Sequence, residues 1–238
     1  MIPMLLFRIH PVLIAAAVIP AIILMLYIYR SDHLEREPVG LLVKLAALGA
    51  LATLLALVGE KLGSLLLRGL EQRSTAYQLL MNFLVVGLCE EGFKFLLLRL
   101  STWNNPNFNC RYDGVVYAVF LSLGFALWEN ISYVFVYGLG AALVRAVTAI
   151  PGHAAFGVFM GAWYGQAKAQ ERNGNLPRCR FCQRMALLVP VAIHGLYDYI
   201  ALRENDGATS ALFLIFIVVT FVAAFWTLKR MAKLDRFL

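Results

Sequence analysis

Residues 79–98 read Leu-Leu-Met-Asn-Phe-Leu-Val-Val-Gly-Leu-Cys-Glu-Glu-Gly-Phe-Lys-Phe-Leu-Leu-Leu. At about 1.5 Å of rise per residue, a helix of this length is about 30 Å long, which matches the hydrocarbon thickness of a bilayer. Apolar side chains lie all around this helix rather than along one stripe, so it is not the surface helix of a soluble domain. Its charged exceptions are Glu90, Glu91 and Lys94. The stretch therefore predicts a membrane span with ionisable groups at its middle.

The rest of the chain repeats the apolar half of this pattern. Further apolar blocks occur at 10–29, 40–58, 114–136, 143–165, 185–202 and 210–228. With 61% hydrophobic and only 15% charged residues, against roughly 25% charged in a soluble domain, little chain is left for anything outside a membrane. The expected fold is all-α: a polytopic transmembrane bundle of about seven spans. It forms one integral membrane unit over 1–238, with its polar motifs in 79–202 and flanking spans at 10–29, 40–58 and 210–228. A β-barrel would show alternating patterns instead of long apolar blocks. The first block has no small-residue cleavage site and reads as a span, not a signal peptide. Pro20 would kink it. Lys61–Gln78 mixes leucines with Arg68, Glu71 and Arg73 and predicts a short interfacial helix.

The net charge of +7 reads as loop anchoring and not as nucleic-acid binding, because basic residues gather on cytoplasmic loops. Thirteen of the 21 Lys and Arg fall on one side: Arg30, Arg36, Arg99, Arg111, five between Lys168 and Arg184, and four between Lys229 and Arg236. Five fall on the other. This bias predicts a cytoplasmic C-terminus and, with an odd number of spans, an external N-terminus.

An ionisable side chain inside a bilayer is costly and normally faces a cavity or a partner. Two adjacent carboxylates cannot both be ionised there cheaply without a cation or metal. Lys94 lies four residues after Glu90, on the same helix face, and is the nearest cation. The next block contains Glu129 and Asn130, followed by Tyr133; the one after it contains His153, with Gly157, Gly161 and Gly165 trailing at four-residue spacing. That glycine ridge predicts close helix packing. His194 and Asp198 stand at i and i+4 in the sixth block. Each group alone has a structural reading, as an ion pair, an interfacial residue or an interhelical hydrogen bond. All of them together, on separate helices, form a water-activating set: a Glu deprotonates water, and a His or Asn stabilises an oxyanion. No His-Glu-x-x-His zinc helix or Gly-x-Ser nucleophile motif occurs.

Glu90-Glu91-x-x-Lys94, Phe125-x-x-x-Glu129-Asn130, His153 with its glycines and His194-x-x-x-Asp198, with Asp113-Gly114 ahead of the fourth block, resemble the motifs of the PrsW family of intramembrane proteases. That family is similar to the CAAX-prenyl and bacteriocin-processing proteases and, more distantly, to the scaffold subunit of gamma-secretase. The resemblance runs from about residue 80 to 200 with every motif in order. It implies an enzyme of the bacterial or archaeal cell membrane that cleaves membrane-anchored, single-span proteins, such as the first cut of an anti-sigma factor. It implies Glu90, Glu91, Glu129, His153 and His194 as the catalytic set, with Lys94, Asn130 and Asp198 in support. The CAAX-type relatives carry a His where this chain has Glu129. Two His and one Glu make a catalytic zinc ligand set, so Glu129, His153 and His194 are expected to hold Zn2+, with Glu90 or Glu91 as base. A metal-free arrangement of Glu, water and His stays open. So do two other functions: a non-catalytic scaffold and a proton-coupled transporter. Cys179 and Cys182, with Cys110 on the same predicted side, read either as a small structural zinc clasp or as thiols with no role.

Overall fold

A computed structural model describes residues 11–203 and 207–238, with side chains from residue 14 onward. Arg8 and the first residue of the 10–29 block lie outside the described residues. The helices are α1 (Pro11–Ser31), α2 (Val39–Leu66), α3 (Thr75–Leu79), a π-helical segment (Leu80–Gly87), α4 (Leu88–Thr102), α5 (Asp113–Val147), α6 (Ala149–Arg172), α7 (Leu176–Ala201) and α8 (Gly207–Lys233). α3, the π segment and α4 follow one another without a break and form one rod over 75–102. Pro20 lies inside α1, which continues through it.

α5 is two helices joined at a reversal. Gly138 has φ of 77°, a left-handed conformation that a side chain disfavours. Val134 and Ala142, four residues on either side, pack together with Ala17. Arg145 reaches back to Asn130. The chain therefore rises to Tyr137, turns at Gly138 and returns through 139–147 into α6. This yields seven helical rods among the described residues, one for each apolar block. By length and apolarity alone, four stretches qualify as membrane spans: Ile14–Ser31, Val39–Leu66, Gly207–Lys233 and the 60-residue Asp113–Arg172, which contains the Gly138 reversal. The 75–102 rod and α7 carry more polar and charged residues. The helical membrane bundle is as expected. The predicted interfacial helix at Lys61–Gln78 is not formed: α2 continues to Leu66, because Leu62, Leu65 and Leu66 extend its apolar pattern, and α3 begins at Thr75 under an N-cap from Ser74.

α5 is the central helix. Every residue from Asp113 to Ala126 is buried, and α1, α2, α4 and α6 pack around it. Glycines set the closest crossings. A Cβ on Gly124 would collide with the carbonyl of Ala46, and one on Gly49 with the carbonyl of Leu121. The predicted ridge on α6 behaves the same way, with Gly161 against Gly114 and Gly165 against the carbonyl of Arg111. Outward faces carry Ile19, Val43, Leu62, Val218, Val222 and Trp226, all exposed. An apolar surface of this extent is stable in lipid and not in water.

Candidate active site

The π segment places the glutamate pair. Its wider turn ends at Gly87, where α7 crosses: a Cβ there would stand 2.9 Å from the carbonyl of Asn82 and 3.2 Å from that of Val191. On α7, Gly195 lies as tightly against the ring of Phe83. Such π insertions re-aim the residues that follow them. Here the crossing brings His194, next to Gly195, onto Glu91.

Four rods then contribute to one buried polar cluster. From α4, Nζ of Lys94 donates to Oε1 of Glu91 at 2.7 Å and to Oε2 of Glu90 at 3.3 Å. A third ammonium hydrogen reaches Nδ1 of His153 on α6 at 3.1 Å, and the charge lies 3.8 Å from the centre of the Phe125 ring. From α7, Nδ1 of His194 donates to Oε1 of Glu91 at 2.9 Å, while its Nε2 stands 3.3 Å from Asp198 and 3.8 Å from Glu90. The other nitrogen of His153, Nε2, donates to Oε2 of Glu129 on α5 at 3.0 Å. That same oxygen is 2.8 Å from Nη2 of Arg145. Phe156 stacks on His194, with ring centres 4.8 Å apart, and covers the apolar side of the cluster.

A cavity of about 550 Å³ adjoins this cluster, and Glu60, Glu90, Glu129, Arg145, His194 and Asp198 are among its walls. Leu57, Ser132, Tyr133, Ala201 and Leu202 also line it. It therefore opens at the end of the bundle where α2 and α7 finish and α5 turns back. Arg99, Arg111, Arg172, Lys229 and Lys233 lie at the opposite end.

Glu90, Glu91, Lys94, His153 and His194 meet, and Glu129, Asn130 and Asp198 surround them. The expected ligand set is rearranged. One donor atom from each of Glu90, Glu91, His153 and His194 lies within 4.8 Å of every other. Glu129 is not in this group, because it sits on the far ring nitrogen of His153 and is paired with Arg145. Two carboxylates and two imidazoles are zinc-type donors, and Oε2 of Glu91 is buried without a partner, so the group fits a cation. Lys94 takes part of that place with its own positive charge. The thiols of Cys110, Cys179 and Cys182 do not converge: among the described residues the Glu–His group is the only cluster with metal-binding spacing. Cys179 and Cys182 pack on Ala167, Trp103 and Trp163, and Cys110 pairs with Phe237 of the C-terminal tail.

Two charged wall residues are not singled out by the sequence: Glu60 lies beyond the expected end of the second block at 58, and Arg145 is a lone cation within the 143–165 block.

A lipid-facing helical bundle with a buried glutamate–histidine cluster beside a cavity that several ionisable side chains line defines a membrane-embedded hydrolase. The chain belongs to the PrsW family of intramembrane metalloproteases, whose family model matches residues 37–226. It is similar to Protease PrsW of Clostridioides difficile, at 32% identity over 93% of this chain and 90% of that one. It is similar also to Protease PrsW of Halalkalibacterium halodurans, at 34% over 90% and 92%, and of Bacillus subtilis, at 32% over 79% and 82%. No solved structure matches the fold. The protein is thus an intramembrane endopeptidase and an integral membrane protein.

Proposed function

We propose that the enzyme hydrolyses a peptide bond of a single-span membrane protein, such as an anti-sigma factor, with Glu90 as the general base. One observation carries the assignment. Of the two adjacent glutamates, Glu90 lines the cavity, whereas Glu91 is 0% exposed and holds Lys94 and His194. A base must share space with the water it deprotonates.

In this reading the carboxylate of Glu90 takes a proton from water in the cavity, and the water oxygen attacks the scissile carbonyl carbon. Doubly protonated, His194 keeps its Nδ1–H on Glu91 and donates toward the developing oxyanion from Nε2, the ring nitrogen that faces Glu90 and Asp198. The C–N bond breaks, and Glu90 returns its proton to the leaving amine. Asp198, one helical turn after His194, orients the imidazole, and Glu129 does the same for His153. A zinc ion, were it bound, would be held by Glu91, His153 and a singly protonated His194 that has given up the Nδ1 proton it otherwise donates to Glu91, and it would supply Lewis-acid activation of water. Lys94 balances the glutamate pair when no metal is present.

The whole chain, 1–238, is one protease unit in this reading, with seven crossings. The basic end faces the cytoplasm and the cavity opens to the outer side. The thirteen-to-five split of Lys and Arg between the two sides supports that orientation, and the supply of water to a cavity mouth at the membrane surface supports cleavage near that side. Cleavage of a co-expressed single-span reporter tests the proposal. Wild type should release the fragment, and Glu90→Gln should not, at equal expression. Release undiminished in Glu90→Gln would end it.

A further inference from the structure

Arg145 is a cation at the wall of the cavity, and nothing in the hydrolytic scheme uses it. It lies on the returning limb after the Gly138 turn, and all of its partners lie on the rising limb. Nη2 is 2.8 Å from Oε2 of Glu129, Nε donates to Oδ1 of Asn130 at 3.1 Å, and the guanidinium covers the ring of Tyr133 at 3.9 Å. Asn130 is itself held from α1, donating from Nδ2 to the carbonyl oxygen of Ala17 at 3.1 Å. The planar fork of an arginine thus closes the hairpin at a defined distance from the histidine.

The consequence falls on His153. Glu129 reaches its Nε2 with the same oxygen, Oε2, that Arg145 holds. A glutamate has several rotamers, and this one faces a cavity in which it could instead turn toward open space. With Arg145 in place, its carboxylate is held between the guanidinium charge and the N–H of His153. The ring of His153 is then fixed too, with Nδ1 directed at Lys94 and the glutamate pair. We propose that Arg145 is a positioning residue of the protease: acting through Glu129, it sets the orientation in which His153 presents Nδ1 to the site. The inference rests on the hydrolytic reading of the cluster. Groups that orient a metal-binding or catalytic imidazole typically contribute 10- to 100-fold in activity or metal affinity.

The test uses full-length protein in nanodiscs, a single-span reporter and four variants, Glu90→Gln, Arg145→Gln, Arg145→Lys and Glu129→Gln, with the double variant of the last two positions (Glu129→Gln with Arg145→Gln). Arg145→Gln should lower kcat by about 10- to 100-fold with KM changed less than about threefold. Arg145→Lys keeps the charge but loses the fork, and should fall between. The double variant should be no slower than the worse single one, because both changes break one chain of contacts. A purely structural role would instead lower the unfolding midpoint and leave kcat per folded molecule unchanged. That result, or effects of Arg145→Gln and Glu129→Gln that multiply, would overturn the inference while leaving the hydrolytic reading intact. If Arg145→Gln is not recovered folded, Arg145→Lys decides: full kcat in it overturns the inference. A wild type that does not cleave, or a Glu90→Gln variant as active as wild type, overturns the reading and this inference with it.

Discussion

Nζ of Lys94 donates to Oε1 of Glu91 over 2.7 Å, and both side chains are wholly buried. The ammonium thus occupies part of the space that a metal would need. Removing one member of a buried ion pair leaves an uncompensated charge, at a cost of about 3–5 kcal/mol. Lys94→Met should accordingly lower the unfolding midpoint of metal-stripped protein, by roughly 6–20 °C. Zinc should raise the midpoint of this variant more than that of wild type, because the competing cation is gone. An equal response to zinc in both proteins would show that Lys94 and the metal do not share a site.

The proposed division between ligands and base predicts two kinds of loss. His153→Ala and His194→Ala should lose bound metal and activity together. Glu90→Gln should keep the metal, measured by elemental analysis, while activity falls at least about 100-fold, as expected for removal of a general base. Full activity after exhaustive chelation, with no metal detected, would leave a metal-free mechanism in which Glu90 and a histidine activate water directly.

Much of the site was legible because a charge inside an apolar block stands out. Glu90, Glu91, Lys94, His153, His194 and Asp198 could each be picked from a single helix, and helical spacing put Glu90 with Lys94 and His194 with Asp198 correctly on shared faces. Spacing does not say which ring nitrogen of a histidine meets which neighbour, so it does not reveal that Glu129 meets Nε2 of His153 while Lys94 meets Nδ1. Arg145 needed the tertiary fold: only the reversal at Gly138 brings it over Glu129. Glu60 was hidden for a different reason. Near the end of a span a charged residue is ordinary, and nothing local says that it faces inward. The helical blocks are visible from apolarity alone, whereas α2 runs to Leu66, eight residues past the expected end at 58, because a few charges on a continuing helix resemble the polar face of a separate interfacial helix.

The glycine contacts predict a gradient of tolerance. A methyl group at Gly161 or Gly165 meets backbone, which cannot move aside as a side chain can. Overpacking of this kind costs about 1–3 kcal/mol. Gly161→Ala and Gly165→Ala should both lower the unfolding midpoint, whereas Gly140→Ala, with nothing within 4 Å of the added carbon, should match or slightly exceed wild type. A midpoint for Gly161→Ala equal to that for Gly140→Ala would refute the close α5–α6 crossing.

At the basic end, the loop between α1 and α2 carries two buried acids. Burial, reinforced by Asp235, pushes Asp32 up to about 6. Burial, with the charge of Asp32 adding to it, pushes Glu37 to about 7 despite the nearby hydroxyl of Tyr117. Both oxygens of Asp32 and Oε2 of Glu37 are buried without partners. Because these folded values lie above the unfolded ones, the folded state retains protons that the unfolded chain releases. Their effect vanishes below about pH 4, and stability declines as pH rises from there to about 7. The unfolding midpoint should rise when pH is lowered from 8 to 5, and Asp32→Asn with Glu37→Gln should flatten that slope. A double variant with the wild-type slope would exclude these two acids as its cause.

Side-specific labelling tests the orientation of the site. Ser132 lines the cavity close to the Gly138 turn, while Arg180 lies near the start of α7, at the basic end. Three of the four native cysteines are buried and Cys89 is partly so, so a background lacking all four is the suitable host. If basic loops are retained in the cytoplasm, Ser132→Cys should react with a membrane-impermeant maleimide added to intact cells, and Arg180→Cys should react only after permeabilisation. The cavity also predicts an order of reactivity. Ser132→Cys should react faster than Val136→Cys, which is 72% exposed but not among the cavity-lining residues, because thiolate formation needs water and lipid provides none. Labelling of Arg180→Cys in intact cells, with Ser132→Cys protected, would invert the topology and move the cavity mouth, and with it the cleavage position, to the cytoplasmic side.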